Sequence, residues 1–293
     1  MNKQSIGIVI PTWKAIHHLP HCLPLLIQSP LKPRILIIDS SSNDGTVELA
    51  RSLGVETLVI PKESFNHGRT REMGRNHLGT DIVVMMTQDA YPTSLHMLEL
   101  LVEPLISNQA SIAYARQIPH LGAGFLASFA RHFNYPSASH LRSLDDVHEF
   151  GIYTFFCSNS CAAYLNRALD EIGGFPAVLF GEDTVAVARL LQNQHRIAYV
   201  AEAEVSHSHD YTLKQEFSRH FTIGLSRQTF HHLFSIAGKD SQRGKAYVLA
   251  MLKELLKKKP SLIPYALLHS LVRFTGYLAG KAYALLTNAN HSA

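Results

Sequence analysis

Five short apolar runs in the first 116 residues, separated by longer amphipathic stretches, constrain this chain more than any other feature. "IGIVI" (6–10), "RILIID" (34–39), "TLVI" (57–60), "DIVVMM" (81–86) and "SIAYAR" (111–116) read as strands, most of them continuous in apolar residues as strands covered on both faces are. Between them the spacing predicts helices over 17–28, 45–53, 70–78 and 94–107, the second opened by Asn43, Asp44 and Gly45. Alternating strands and helices imply an α/β fold on a parallel sheet, whose ligands gather at the carboxyl ends of the strands. Beyond 116 the pattern loosens. A loop-rich stretch (117–150) leads to strands over "YTFFC" and "CAAYL", a helix over 166–172, the turn "GGFP", a helix over 182–194, and a strand "RIAYV" before the extended "AEVSHSH". From Thr212 the reading is helical to the end, with breaks near Gly238 and Pro260.

A chain of 293 residues with 46% hydrophobic content can bury a large core, which excludes a disordered or fibrous protein. Cys22, Cys157 and Cys161 are too few for a disulfide framework, so a reducing compartment is expected, with Cys157 and Cys161 packing as small hydrophobes. "MNKQSIGIVIPTW" has too short an apolar run for a signal peptide, so a cytoplasmic location is expected. Charge divides unevenly: residues 216–293 carry 11 Lys and Arg against 3 Asp and Glu, whereas residues 1–215 carry 16 against 20. The expected organisation is therefore a domain over 1–215 and a basic helical extension over 216–293.

The last segment, "SLIPYALLHSLVRFTGYLAGKAYALL", is too interrupted by His269, Arg273 and Lys281 to span a membrane well. At helical spacing those three share a face with Gly276 or Tyr277 and Gly280, while Leu267, Leu268, Leu271, Leu278 and Leu285 lie mostly elsewhere. With "KKK" at 257–259 this fits a helix lying on an anionic membrane surface; a helix packing back onto the body fits equally. Nucleic acid is not an expected partner, because basic and aromatic residues do not interleave in a known module.

Chemistry collects at the strand ends. Pro11 and Thr12 follow the first strand without any GxGxxG, which argues against a dinucleotide-binding Rossmann unit. Asp39, at the end of the second, is placed to accept hydrogen bonds from a base or ribose. "FNHGRTREMGRN" (65–76) sets His67, Arg69, Arg71 and Arg75 close together, with Gly68 freeing the backbone, as a diphosphate site would. Asp89 ends the fourth strand. "GEDT" (181–184) puts Glu182 and Asp183 at a helix start, where they either complement the helix dipole or supply a general base. His207 and His209, two apart in an extended chain, point the same way and suit a divalent metal.

The blocks "IPTWKA", "IIDSSSNDGT", "FNHGRTR", "MMTQDA", "ARQIP", "FFCSNSCAAYL", "EIGGFPAVLFGEDT" and "VSHSHDYTLKQEFSRHFTIG", in this order from Ile6 to about Gly224, resemble family 2 of the inverting glycosyltransferases, and within it the bacterial rhamnosyltransferase-like group. The resemblance implies a GT-A fold, with Pro11, Thr12, Asp39 and Ser41 around the nucleoside and Gly68, Arg69 and Arg71 near the diphosphate. It implies Gln88 facing the donor sugar, Asp89 holding Mg²⁺ or Mn²⁺ with His207 or His209, and Asp183 as base supported by Glu182. Thr87 stands where most members carry a first Asp, a signature of the rhamnosyltransferase group, and Trp13 replaces a smaller or different aromatic. A dTDP-L-rhamnose donor is expected, with UDP- and GDP-sugars as alternatives, and a lipid-linked or cell-surface glycan as acceptor at the inner membrane face; an oligomer is compatible with this. A polyprenyl-phosphate glycosyl synthase and a non-catalytic sugar-nucleotide-binding protein are the rival readings.

Overall fold

The computed structural model describes residues 4–178, 180–237 and 241–289. The strands are β1 (Ile6–Thr12), β2 (Arg34–Asp39), β3 (Glu56–Val59), β4 (Ile82–Met86), β5 (Tyr91–Pro92), β6 (Ile112–Ile118), β7 (His140–Arg142), β8 (Cys161–Leu165) and β9 (Ile197–Ser206). They form one mixed sheet in the order β3-β2-β1-β4-β8-β6-β9-β5, with β7 also paired to β9. All five apolar runs of the first half are strands, and their central residues, Ile8 to Ile10, Leu36 to Ile38 and Val83 to Met86, have no exposed surface. Burying each such aliphatic side chain is worth about 1.5–3 kcal/mol, which makes this the main source of stability.

Helices cover the sheet in chain order: α1 (Leu19–Cys22), α2 (Pro24–Ile27), α3 (Thr46–Ser52), α4 (His67–Leu78), α5 (Met97–Ile106), α6 (Phe125–Asn134), α7 (Val147–Phe150), α8 (Asn166–Glu171) and α9 (Glu182–Gln192). The single helix expected over 17–28 is two short ones, because Pro24 lacks the N–H that would continue the ladder, whereas Pro20 stands in the first turn of α1, where none is needed. "YTFFC" is not a strand. Residues 151–155 form a 3₁₀ turn whose carbonyls find a side-chain donor: the fully buried Arg142 donates to the carbonyls of Tyr153 and, at 2.8 Å, Phe156. The stretch 117–150, read as loop-rich, contains α6, whose apolar face is matched by helices more than a hundred residues later.

Those helices are α10 (Leu213–Thr229), α11 (His231–Phe234), α12 (Ser241–Lys258) and α13 (Ile263–Ala289). The break expected near Gly238 lies outside the described residues; the one at Pro260 is present. Phe129 of α6 forms a second apolar cluster with Tyr247, Met251, Leu255 and Ala266, so the extension shares a core with the body. Helices α10 and α13 run in the same direction and touch backbone to backbone. A Cβ on Gly224 would lie 2.0 Å from the Tyr277 carbonyl, and one on Gly280 would lie 1.9 Å from that of Phe221. The small and polar face of α13 (Ala266, His269, Arg273, Gly276, Gly280) thus packs inward. Leu267, Leu268, Leu271, Phe274, Leu278 and Leu285 remain 47–57% exposed, an apolar stripe turned away from the protein. No helix among the described residues is long and apolar enough to cross a membrane.

Candidate active site

Strand direction brings the site together. Strands β1, β2, β4, β6 and β9 run one way and β8 runs against β4 and β6. The ends of β1, β4 and β9 and the start of β8 therefore share one edge, which collects Thr12, Asp89, His207 and Asn159 from four distant parts of the chain.

On one side of this edge a cavity of about 380 Å³ is lined by Pro11, Thr12, Trp13, Lys62, Phe65, Gln88 and others. Gln88 clamps the loop after β1: its Oε1 accepts from the Trp13 N–H at 2.8 Å and its Nε2 donates to the Trp13 carbonyl at 3.2 Å. The Lys62 ammonium lies 4.0 Å from the centre of the Trp13 ring. Asp39 does not reach the cavity wall. It is fully buried and accepts from Thr12 Oγ1, Ser42 N and Ser42 Oγ at 2.7–2.8 Å, holding the two loops together. Ser41, at φ 56°, donates to the Ile60 carbonyl and lines neither cavity.

Of the "FNHGRTR" residues, Arg71 is brought to the centre and Arg69 is not. Arg69 is exposed, and its backbone N–H is capped by the Asn66 side chain at 3.1 Å. Gly68 serves packing: a Cβ there would lie 1.7 Å from the Pro176 carbonyl, so only glycine lets α4 meet the "GGFP" turn. Arg71 is buried, pairs with Glu182 at 3.1 Å and reaches His67 Nδ1 at 3.0 Å. An arginine donates, so the His67 nitrogen accepts; burial and then the Arg71 charge hold that imidazole neutral, its pKa lowered to about 4.

Asp89, His207 and His209 form the cluster expected of a metal centre, with ligand atoms within 4.8 Å of one another. His207 Nε2 and His209 Nε2 are 3.5 and 3.2 Å from the Asp89 oxygens and 3.1 Å from each other. Ligands in adjacent positions of an octahedral ion with bonds of about 2.1 Å stand about 3 Å apart, close to these spacings, so the three side chains could hold a divalent cation between them. The Gln117 side-chain Oε1 accepts from His207 Nδ1 at 2.8 Å, which leaves the Nε2 lone pair towards the cluster. Burial lowers His209 to about 4, and His207 is lowered too, so both stay neutral. Burial opposes the Asp89 charge, but the two histidines outweigh it and its carboxyl lies well below the usual range.

Glu182 and Asp183, adjacent in sequence, have opposite surroundings. Burial would raise Glu182, but Arg71 and His67 reverse this and keep it ionised below the ordinary carboxylate range. Asp183 feels Arg71 only weakly. Burial and the neighbouring Glu182 charge push it up to about 6, although it accepts from the N–H groups of Asn159 (3.2 Å) and Thr184 (2.6 Å). Paired carboxyls pushed apart in this way divide into a fixed charge and a proton acceptor. Asn159 touches both, donating its Nδ2 to Glu182 at 3.0 Å. Sequence reasoning did not single it out; two polar residues flanking it between apolar runs were the available signal.

Asp183 opens on a second cavity of about 950 Å³, walled by α6, α9, α10 and the tail helices. Thr87, Asp89, His67 and Arg71 line both cavities and so stand between them. Arg219, also not foreseen, lines the larger one with its guanidinium 5.0 Å from the Phe180 ring and 5.4 Å from that of Tyr211.

A mixed sheet with these two cavities on one edge is the architecture of nucleotide-sugar transferases of the GT-A type. The mannosyltransferase PcManGT from Pyrobaculum calidifontis, solved in complex with GDP-Man and Mn²⁺, superposes with a TM-score of 0.67 at 12% identity, covering 96% of this chain and 87% of that one. That likeness carries the fold alone. The particular family follows from sequence: the model of Glycosyl transferase family 2 matches residues 7–173, and the chain belongs to this family and is a glycosyltransferase. The O-antigen chain rhamnosyltransferase RfbN of Salmonella typhimurium is 36% identical over 286 residues, 96% of this chain and 91% of that protein. The O-antigen chain rhamnosyltransferase WbaN of Salmonella anatum is 37% identical over 288 residues, with the same coverage.

Proposed function

We propose that this enzyme moves an L-rhamnosyl group from dTDP-L-rhamnose to a hydroxyl of a lipid-linked O-antigen glycan, with inversion at the anomeric carbon. The observation that carries this reading is the position of Asp89 and Arg71 in the wall shared by a nucleotide-sized cavity and a larger one that contains Asp183. The smaller cavity takes the nucleoside between Pro11, Thr12 and Trp13, with Asp39, Ser41 and Gln88 shaping its loops. Arg71 faces the diphosphate, Gly68 and Arg69 supporting it through the start of α4. Asp183, across the larger cavity, takes the proton of the attacking hydroxyl while Arg71 keeps Glu182 ionised beside it. The acid must be unprotonated to do so, and it is at neutral pH. A divalent ion held by Asp89, His207 and His209 would supply Lewis-acid stabilisation of charge on the departing diphosphate. The names and 91% coverage of the two relatives support the rhamnosyl donor.

Thermal-shift measurements with dTDP, UDP and GDP, each with and without Mn²⁺, test this. A hundredfold excess over Kd stabilises by about 2.7 kcal/mol, several degrees in Tm, and dTDP with Mn²⁺ is expected to give the largest shift. No shift with any nucleotide overturns the reading; a larger shift with GDP or UDP overturns the donor.

We also propose that the enzyme works in the cytoplasm against the inner membrane face, its extension from 216 onward contacting lipid. The exposed stripe on α13 continues from Lys257, Lys258 and Lys259, an apolar row beside positive charge as anionic lipid requires. Replacing Leu267, Leu271 and Leu278 together by Gln touches only that stripe and is expected to abolish flotation with liposomes rich in phosphatidylglycerol. Flotation at the wild-type level would mean that α13 is not the contact.

A further inference from the structure

We propose that the end of the larger cavity walled by α6, α10, α12 and α13 holds a sugar ring of the acceptor, and that His269 and Tyr247 select it. This rests on the transferase reading above and adds the acceptor side to it. The argument starts from two buried polar atoms that the folded chain leaves without partners. His269 is 5% exposed; its Nε2 lies 3.1 Å from Glu216 Oε1, which accepts, so the ring is anchored by one nitrogen while Nδ1 has no hydrogen-bond partner. Tyr247 is 8% exposed, and its hydroxyl likewise has none. Buried polar groups are almost always paired, so two orphans lining one cavity mark positions that a bound molecule satisfies.

The surrounding chemistry names the class of that molecule. Glu216 accepts from His269, lies 3.2 Å from His220 Nδ1 and 3.8 Å from Arg273, whose Nε donates to His220 Nε2 at 2.9 Å. Within this cluster one carboxylate and one guanidinium balance, so the groups around His269 carry no net charge to attract a phosphate. Two other arginines of the cavity, Arg131 and Arg219, lie close enough to His207 and His209 to lower their basicity. Aromatic rings complete the wall: Tyr265 and Phe125 line the cavity, and Tyr247 lies under Arg273, 4.9 Å from guanidinium to ring centre. A neutral site with orphan hydrogen-bonding atoms and aromatic faces fits a hexose, whose hydroxyls would meet Nδ1 and the phenol while its C–H face covers a ring. The Glu216 bonds explain how α10 is pinned to α13. They use only Nε2 of His269 and none of Tyr247.

Two histidine replacements separate recognition from pinning. His269→Gln keeps an amide donor for Glu216 but nothing at Nδ1; His269→Asn keeps a polar atom near Nδ1 but drops the pin. Tyr247→Phe removes an orphan hydroxyl and should unfold at or above the wild-type temperature. Binding of octyl β-galactoside, octyl β-glucoside and octyl α-mannoside is measured by saturation-transfer NMR with dTDP and Mn²⁺ present. The wild type is expected to bind at least one of them, with Tyr247→Phe and His269→Gln each about tenfold weaker and His269→Asn less affected, the loss of one hydrogen bond to a ligand. If the wild type binds none of the three, or if Tyr247→Phe and His269→Gln bind as the wild type does, the proposal is overturned. The nucleotide thermal shift of the wild type reports on the transferase reading separately.

Discussion

Asp183→Asn is expected to lower turnover by about two to four orders of magnitude, the usual weight of a general base, while the dTDP-induced thermal shift is retained. The same variant should unfold at or above the wild-type temperature. The sign follows from the shift: a carboxyl held at about 6, above its ordinary value, is disfavoured as an anion by the fold, so at neutral pH its charge costs stability that the amide does not. The wild-type rate should accordingly rise with pH through about 6 and level off, as the base loses its proton. Glu182→Gln tests the division of labour between the two acids. It removes the partner of Arg71 and leaves a buried cation unpaired, so it should destabilise the protein by about 3–5 kcal/mol, seen as a lower Tm. Normal turnover by Asp183→Asn, or a rate flat between pH 5 and 7, would remove Asp183 from the chemistry.

The second large effect is expected at Asp89. It is the one carboxylate of the cluster, and its loss leaves two neutral imidazoles to face a divalent cation. Asp89→Asn should weaken Mn²⁺ binding by about a hundredfold or more, measured by electron paramagnetic resonance of free Mn²⁺ with dTDP present, and chelation by EDTA should mimic it in the wild type. Gln117→Leu, which frees the His207 ring, is expected to cost about ten- to a hundredfold in the same measurement. Wild-type Mn²⁺ affinity in Asp89→Asn would rule out a ligand role for that carboxylate.

Much of this was legible in the residues. The apolar runs named the strands because a strand buried on both faces has little freedom in composition. The polar breaks after them named the site edge because parallel strands deliver their ends to one side. His207 and His209 were readable as a pair because a two-residue spacing in extended chain is a geometric statement. Two elements were misread. "YTFFC" has every mark of a strand, but Arg142 satisfies its carbonyls. The helix within 117–150 carries Phe125, Phe129 and Phe133 at helical spacing, a signal that the loop-rich reading passed over, and that apolar face meets Tyr247 and Met251 across more than a hundred residues. For Asp39 and Arg69 the fold sets only where they stand: hydrogen bonds tie the first to its own loops, and α4 turns the second outward.

The tail shows the same division. Spacing alone put the polar and apolar residues of 263–289 on separate faces, and the two readings of that helix, on lipid or on protein, stood as rivals. The folded chain settles the inner face: Gly224 and Gly280 admit a backbone contact that buries the small and polar side, which leaves the leucines exposed. Periodicity determined which residues share a face, because that is a property of one helix. Only tertiary structure decided which face turns inward, and which of two adjacent acids keeps its proton longer, because both depend on what a distant segment places beside them: α10 in the first case, Arg71 in the second.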